Sequence, residues 1–255
     1  MIFYVNIKDH KNVGDRASSP FHYFGQPGDV WEDISKPIDQ VIPAEGEHKV
    51  IIGGGGLLHP GLEDRIAAYC NHARCKTVLW GIGSNYHDKE PHDVTYLRAA
   101  AIGLRDIDSP FAWVPCASCM HPSFPTLRDS KPAHEIVVYE HYDYPIPFGP
   151  NPWPFMKNDV DSAMTALEHI ASGGTVLTNS FHGAYWARLL GRKVICYAPF
   201  STRFFAPFAD RLATVDELTG VSLVEIMSRS LPVYPYYLER CRAQTEKFSN
   251  VVFGL

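Results

Sequence analysis

Long hydrophobic runs are missing from this chain: no window approaches the roughly 18 consecutive apolar residues that a membrane-spanning helix needs. Runs of basic residues are missing too. With 23 Lys+Arg against 28 Asp+Glu the formal net charge is -5, so the electrostatic footprint of a duplex DNA or RNA binder is not there. Charged residues are only 20% of the 255 while apolar ones reach 45%, which excludes a disordered or fibrous chain. No fixed-period repeat or low-complexity tract breaks the pattern. The opening MIFYVNIKDH has no cationic segment and no small-residue cleavage site. The expectation is a cytoplasmic protein without nucleic-acid partners.

Cysteine is sparse at six. Cys70 and Cys75 flank His72, and Cys116 and Cys119 precede His121, a set that could assemble a tetrahedral zinc site, but the first pair is separated by four residues inside an expected helix, where only positions three or four apart closely share a face. The thiols are therefore expected to be buried, free and reduced, with no bound metal. What the chain does carry is 13% aromatic residues, 20 prolines and 12 histidines, a supply suited to loops that stack on flat or sugar-like ligands.

Short β-branched runs alternate with amphipathic stretches, which argues for βα units and parallel sheets. Strands are expected at Ile2–Val5, Lys49–Ile52, Thr77–Trp80, Ala101–Leu104, Glu135–Tyr139, Thr175–Thr178 and Lys193–Tyr197. Helices are expected at Gly61–Ala73, Asp159–Ser172 (capped by Asn158 or Asp159 and stopped by Gly173), Phe181–Leu190, Val221–Ser228 and Tyr236–Phe248. Residues 121–134 carry three prolines and no periodicity, and read as a linker near the midpoint. The fold class is then α/β, with two Rossmann-like domains facing a cleft: residues 1–126 and 127–255.

In open α/β sheets ligands bind beyond the carboxyl ends of the strands. Here those ends read Asn12-Val13-Gly14-Asp15, Gly53-Gly54-Gly55-Gly56, Gly81-Ile82-Gly83-Ser84, Arg105-Asp106, His141-Tyr142-Asp143, Asn179-Ser180-Phe181-His182-Gly183 and Ser201-Thr202-Arg203. The glycine run matches neither a Walker A loop nor a Rossmann fingerprint, and serves equally as a tight turn or as backbone approaching an anion. Arg105 beside Asp106 is either a surface ion pair or a guanidinium aimed at the crevice for a carboxylate. Asn179 or Ser180 is positioned to cap the helix starting at Phe181, which leaves His182 in its first turn.

Taken in order, these segments, together with Ser109 and the Gly191-Arg192-Lys193-Val194 that follows the Ser-Phe-His-Gly of 180–183, resemble the polysaccharide pyruvyl transferase family. The resemblance runs over most of the chain through motifs that are individually short. It implies a glycosyltransferase B-like architecture and transfer of the enolpyruvyl carbons of phosphoenolpyruvate onto two hydroxyls of a sugar, forming a pyruvate ketal on an exopolysaccharide, a capsule or their precursor. It places the general acid at His182 and a carboxylate- or phosphate-holding cation at Arg105, with Asp15 orienting a hydroxyl or acting as base. Asn12, Gly14, Gly54, Gly55, Gly83, His141, Asn179, Ser180, Gly183 and Arg203 become the substrate-binding positions. Many members have arginine two residues before the motif histidine; this chain has Ser180, with Arg203 as the compensating cation. The Val114-Pro115-Cys116 stretch has cysteine where the family often shows aspartate. No cofactor is implied, since phosphoenolpyruvate is the donor substrate. The partner is a sugar or lipid-linked oligosaccharide acceptor, the latter bringing the chain to the inner membrane face. The same strand ends also fit a B-type glycosyltransferase using a nucleotide sugar, or a non-catalytic sugar- or nucleotide-binding module.

Overall fold

The computed structural model describes residues 1–8, 11–88, 93–146, 152–197, 201–202, 214–215 (backbone), 230 and 233–255. The chain is an α/β protein built on two parallel sheets. In the first half the elements are β1 (Ile2–Asn6), α1 (Val13–Ala17), α2 (Phe21–Phe24), β2 (Val30–Asp33), α3 (Ile38–Val41), β3 (His48–Gly53), α4 (Glu63–Asn71), β4 (Cys75–Ile82), β5 (Ala101–Leu104) and β6 (Ala112–Trp113). A 3-10 turn at Ala117–Met120 and α5 (Phe124–Arg128) lead to β7 (His134–Glu140), β8 (Phe155–Lys157), α6 (Ala163–Ala171), β9 (Gly173–Thr178), α7 (Phe181–Leu189), β10 (Lys193–Tyr197), β11 (Thr214–Val215) and α8 (Tyr237–Gly254).

The first sheet runs β2-β1-β3-β4-β5-β6 and the second β8-β7-β9-β10-β11. The second thus repeats the order of the first five strands of the first. In each, the chain reverses its direction of progress between the first and third strands, at β1/β3 and at β7/β9, which is where such sheets open a crevice. Asn12–Asp15 and the glycine run lie beyond one switch point, and His141 and Asn179–His182 lie beyond the other.

The expected strands all form, because their alternating apolar residues feed two different cores. Phe3 and Val5, Val50 and Ile52, and Leu79 face one side of the first sheet; Tyr4, Ile51, Val78 and Trp80 face the other. In the second sheet Val137, Tyr139, Val176 and Val194 oppose Ile136, Val138, Leu177 and Ile195. Helix α8 serves both halves. Leu238 and Cys241 enter the core under the second sheet, whereas Phe248 and Val252 pack with Tyr4 and Trp80 on the first. Each such buried side chain contributes about 1.5–3 kcal/mol.

Several local expectations change. Residues 121–134 are not a bare linker: they hold α5, whose Phe124 is fully buried in the core under the second sheet. The boundary expected at residue 126 falls inside that helix. Helix α6 starts at Ala163, later than expected, with the Ser162 side chain accepting from Met164 N–H at 3.1 Å. Asn158 cannot cap it, because its side chain is already bonded elsewhere. Gly173 does not stop α6 but opens β9, where a Cβ would lie 2.5 Å from Val137 Cγ2. The helix expected at Val221–Ser228 lies outside the described residues.

Candidate functional site

Helix α1 is five residues long and contains a glycine, so propensity alone would not hold it. One cap bond and one tertiary bond do. Asn12 Oδ1 accepts from Gly14 N–H at 3.0 Å, and Val13 N–H donates to the Asn158 carbonyl at 2.8 Å. The Asn158 side chain completes the junction: its Oδ1 accepts from Tyr142 N–H at 2.8 Å and its Nδ2 donates to Ser180 Oγ at 3.5 Å. One asparagine therefore ties α1, the end of β7 and the start of α7. It was not among the expected site residues, and no motif marks it.

Against this junction sits His182, 1% exposed. Its Nδ1 lies 3.9 Å from Asp15 Oδ1. Its ring lies against the backbone of Gly14, where an added Cβ would come within 2.2 Å of Nδ1. On the other edge of the ring, Nε2 is 3.6 Å from Cys116 Sγ. Asp15 also faces the glycine run, since a Cβ on Gly55 would meet its Oδ1 at 3.5 Å. Gly55 has φ +76, which only glycine adopts without strain.

Arg105 follows directly after β5 and is 2% exposed. Its guanidinium carbon stands 3.8 Å above the Phe181 ring, the first residue of α7. All three of its guanidinium nitrogens are buried without a hydrogen-bond partner among the described residues. Burial pulls the arginine's pKa down, and the nearby carboxylates, Asp106 above all and then Asp15, pull it back up. Gly83 makes the room: a Cβ there would be 2.4 Å from Arg105 Nε. The surface ion pair with Asp106 does not form. Asp106 is buried, and its Oδ2 accepts from Ser84 N–H and Oγ–H at 2.7 and 2.6 Å, holding the loop after β4. Burial pushes its carboxyl up.

The structure brings Asp15, Gly14, Gly55, Gly83, Arg105 and His182 around one junction. Other expected residues do structural work. Neither Asn179 nor Ser180 caps α7 with its side chain: Ser180 occupies the cap position without that bond, and Asn179 accepts from His141 N–H at 2.7 Å and donates to the Tyr144 carbonyl at 2.5 Å. His141 stacks on Tyr142 with ring centroids 5.0 Å apart. Gly183 packs on Thr178 and Tyr139, and Gly54 on the Ser18 backbone. Arg203 lies outside the described residues. Cys116 was missed as a site residue; its signal, the thiol beside His182, spans 66 positions of sequence.

All six cysteines are free, with Cys70 and Cys75 only half-buried rather than buried as expected. Among the described residues no group of three or more His, Cys, Asp or Glu is arranged to hold a metal ion, and no helix is long and apolar enough to cross a membrane. A cavity of about 490 Å³ lies on the opposite face of α1, lined by Arg16, His22, Tyr23, Trp31, His121 and Asp161 among others, and contains none of the expected site residues.

No family model matches the chain and no curated protein matches it. Among solved structures it is similar to KP1_0663 from Klebsiella pneumoniae subsp. pneumoniae NTUH-K2044, described as functionally uncharacterized. That likeness has 15% identity, covers 85% of this chain and 93% of that one, and has a TM-score of 0.48.

Proposed function

We propose that this chain is a cytoplasmic ketal pyruvyl transferase of glycosyltransferase B-like architecture, moving the enolpyruvyl carbons of phosphoenolpyruvate onto two hydroxyls of a sugar. The single observation that carries the reading is the buried Arg105 guanidinium, which lacks a hydrogen-bond partner among the described residues, beside the Asp15–His182 pair. A guanidinium kept from water without an anion is costly, and the cost is offset when a carboxylate or phosphate arrives. Phosphoenolpyruvate brings both.

In this reading His182 protonates the methylene carbon, which makes the adjacent carbon electrophilic, and Asp15 on the other ring nitrogen holds the imidazole in place. Arg105 binds the carboxylate, and the start of α7 faces the phosphate. Arg203 supplies the second cation that Ser180 does not. A sugar or lipid-linked oligosaccharide is the acceptor.

Calorimetric titration with phosphoenolpyruvate and, in parallel, with nucleotide sugars tests the donor. Phosphate release in the presence of candidate sugar acceptors then tests turnover. Binding of phosphoenolpyruvate is expected, together with a loss of about 10²–10⁴-fold in turnover for His182→Ala, the range for general acid–base catalysis. Binding of a nucleotide sugar alone would replace this reading with that of a glycosyltransferase.

A further inference from the structure

The proposed acid–base pair leaves one nucleophile unused. Cys116 Sγ is 3.6 Å from His182 Nε2, and the other nitrogen of the same ring is 3.9 Å from Asp15 Oδ1. Thiol and carboxylate thus occupy opposite edges of one imidazole. That is the order of parts in a nucleophile–base–orienter relay, in which the base takes the nucleophile's proton and the third group steadies the resulting imidazolium.

The rest of the surroundings fit a positioned thiol. Tyr185 O–H donates to the Cys116 carbonyl at 3.0 Å, and Ser118 Oγ lies 3.2 Å from the sulfur. Arg105 and Phe181 line a cavity of about 10 Å³ together with Cys116, which makes the cation and the sulfur neighbours around a space that must widen to admit a substrate. The other cysteines lack this set. Cys119 meets Thr245, and Cys75 meets His72 Nδ1 at 3.3 Å with no carboxylate paired to that ring among the described residues. Burial pushes the Cys116 thiol up, while Ser118 and Arg105 draw it down. The resting sulfur is therefore protonated, and it ionises only as His182 accepts its proton.

We propose that Cys116 is the covalent nucleophile of this site, with His182 as its base. The identity of the electrophile rests on the phosphoenolpyruvate reading. In that case the sulfur's proton passes to His182 Nε2 and the S–C2 bond forms as the C2=C3 π pair takes the proton back from the imidazolium. The adduct carries a methyl group, with carboxylate and phosphate still attached to C2. Each of two sugar hydroxyls then forms an O–C2 bond. One displaces phosphate, which leaves with that hydroxyl's proton, and the other displaces the sulfur, which recovers a proton from the second hydroxyl. No oxidant or reductant enters.

Two measurements on the full chain separate the thiol from the donor. The first is iodoacetamide labelling mapped by peptide mass spectrometry. Cys116 should react at least about tenfold faster than the buried Cys196 and Cys241, and should lose that advantage in His182→Ala. The second is the intact mass after incubation with phosphoenolpyruvate and an acid quench. A gain of one phosphoenolpyruvate is expected, absent in both Cys116→Ser and Cys116→Ala. Fast labelling without the adduct would uphold the nucleophile and overturn phosphoenolpyruvate as its partner. Labelling of Cys116 no faster than that of Cys196, with no adduct, would overturn the proposal.

Discussion

His182 and Gly14 touch so closely that nothing larger than hydrogen fits between them: a Cβ on Gly14 would sit 2.2 Å from Nδ1 and 2.3 Å from Cγ of the ring. The glycine is a spacer that lets a histidine from the second half reach the α1 backbone of the first. Its φ is not positive, so the requirement is purely one of room.

Gly14→Ala is accordingly expected to displace the imidazole or the helix carrying it. Overpacking of a buried contact typically costs about 1–3 kcal/mol. Urea denaturation should show a loss in that range, and any activity found for the wild type should fall with it. A variant as stable and as active as wild type would mean that the His182 ring does not lie this close to the Gly14 backbone in solution.

Arg105→Met should move stability and ligand binding in opposite directions. Methionine fills similar volume over Phe181 and removes a charge that is buried without a hydrogen-bonded counter-ion, a replacement that is often neutral or stabilising by about 1–4 kcal/mol. Binding of phosphoenolpyruvate or phosphate should be lost. Thermal unfolding with and without each ligand reads both effects. A variant that is clearly less stable, yet still protected by the ligand, would show that Arg105 is a scaffold residue.

Stability should fall as the pH drops below about 6.5, the ordinary imidazole value. Burial lowers the pKa of His22, His121 and His169, and Arg242 lowers that of His121 further. With folded values depressed, the unfolded chain binds more protons in this window, so stability rises with pH. It is complete above the unfolded value and is lost as pH falls through the folded ones. Asp106, raised by burial, works the other way and favours the acid side. The contribution of His169, whose Nε2 faces the Val138 carbonyl at 2.9 Å, is isolated by His169→Gln. The slope of unfolding free energy between pH 5 and 6.5 should flatten in that variant; an unchanged slope would remove His169 from the account.

The parts of this fold that were legible in the sequence are those whose residues are buried on a repeating pattern. Every expected strand formed, and α7 ends at Leu189, one residue short of the expected Leu190 and two before Gly191 with its positive φ. Strands β2 and β8 were not legible, because edge positions such as Glu32, Asp33 and Lys157 tolerate charge and blur the alternation. Helix α1 was hidden because it is stabilised from outside, through Asn158. For the site, strand-end position was enough to pick out Asp15, Gly14, Arg105 and His182. It said nothing of Cys116, which sits in a stretch without periodicity and meets the histidine only once the two halves are together.

Helix α8 gives the chain an order of completion. Its first turns close the core under the second sheet and its last turns cover Tyr4, Val78 and Trp80 on the first, while Lys49 Nζ donates to the Val252 carbonyl at 3.0 Å. The first sheet precedes α8 in the chain, so part of one of its faces stays open to water until that last helix is in place. The same helix thus completes the apolar packing of both halves, and neither core is fully covered until it docks.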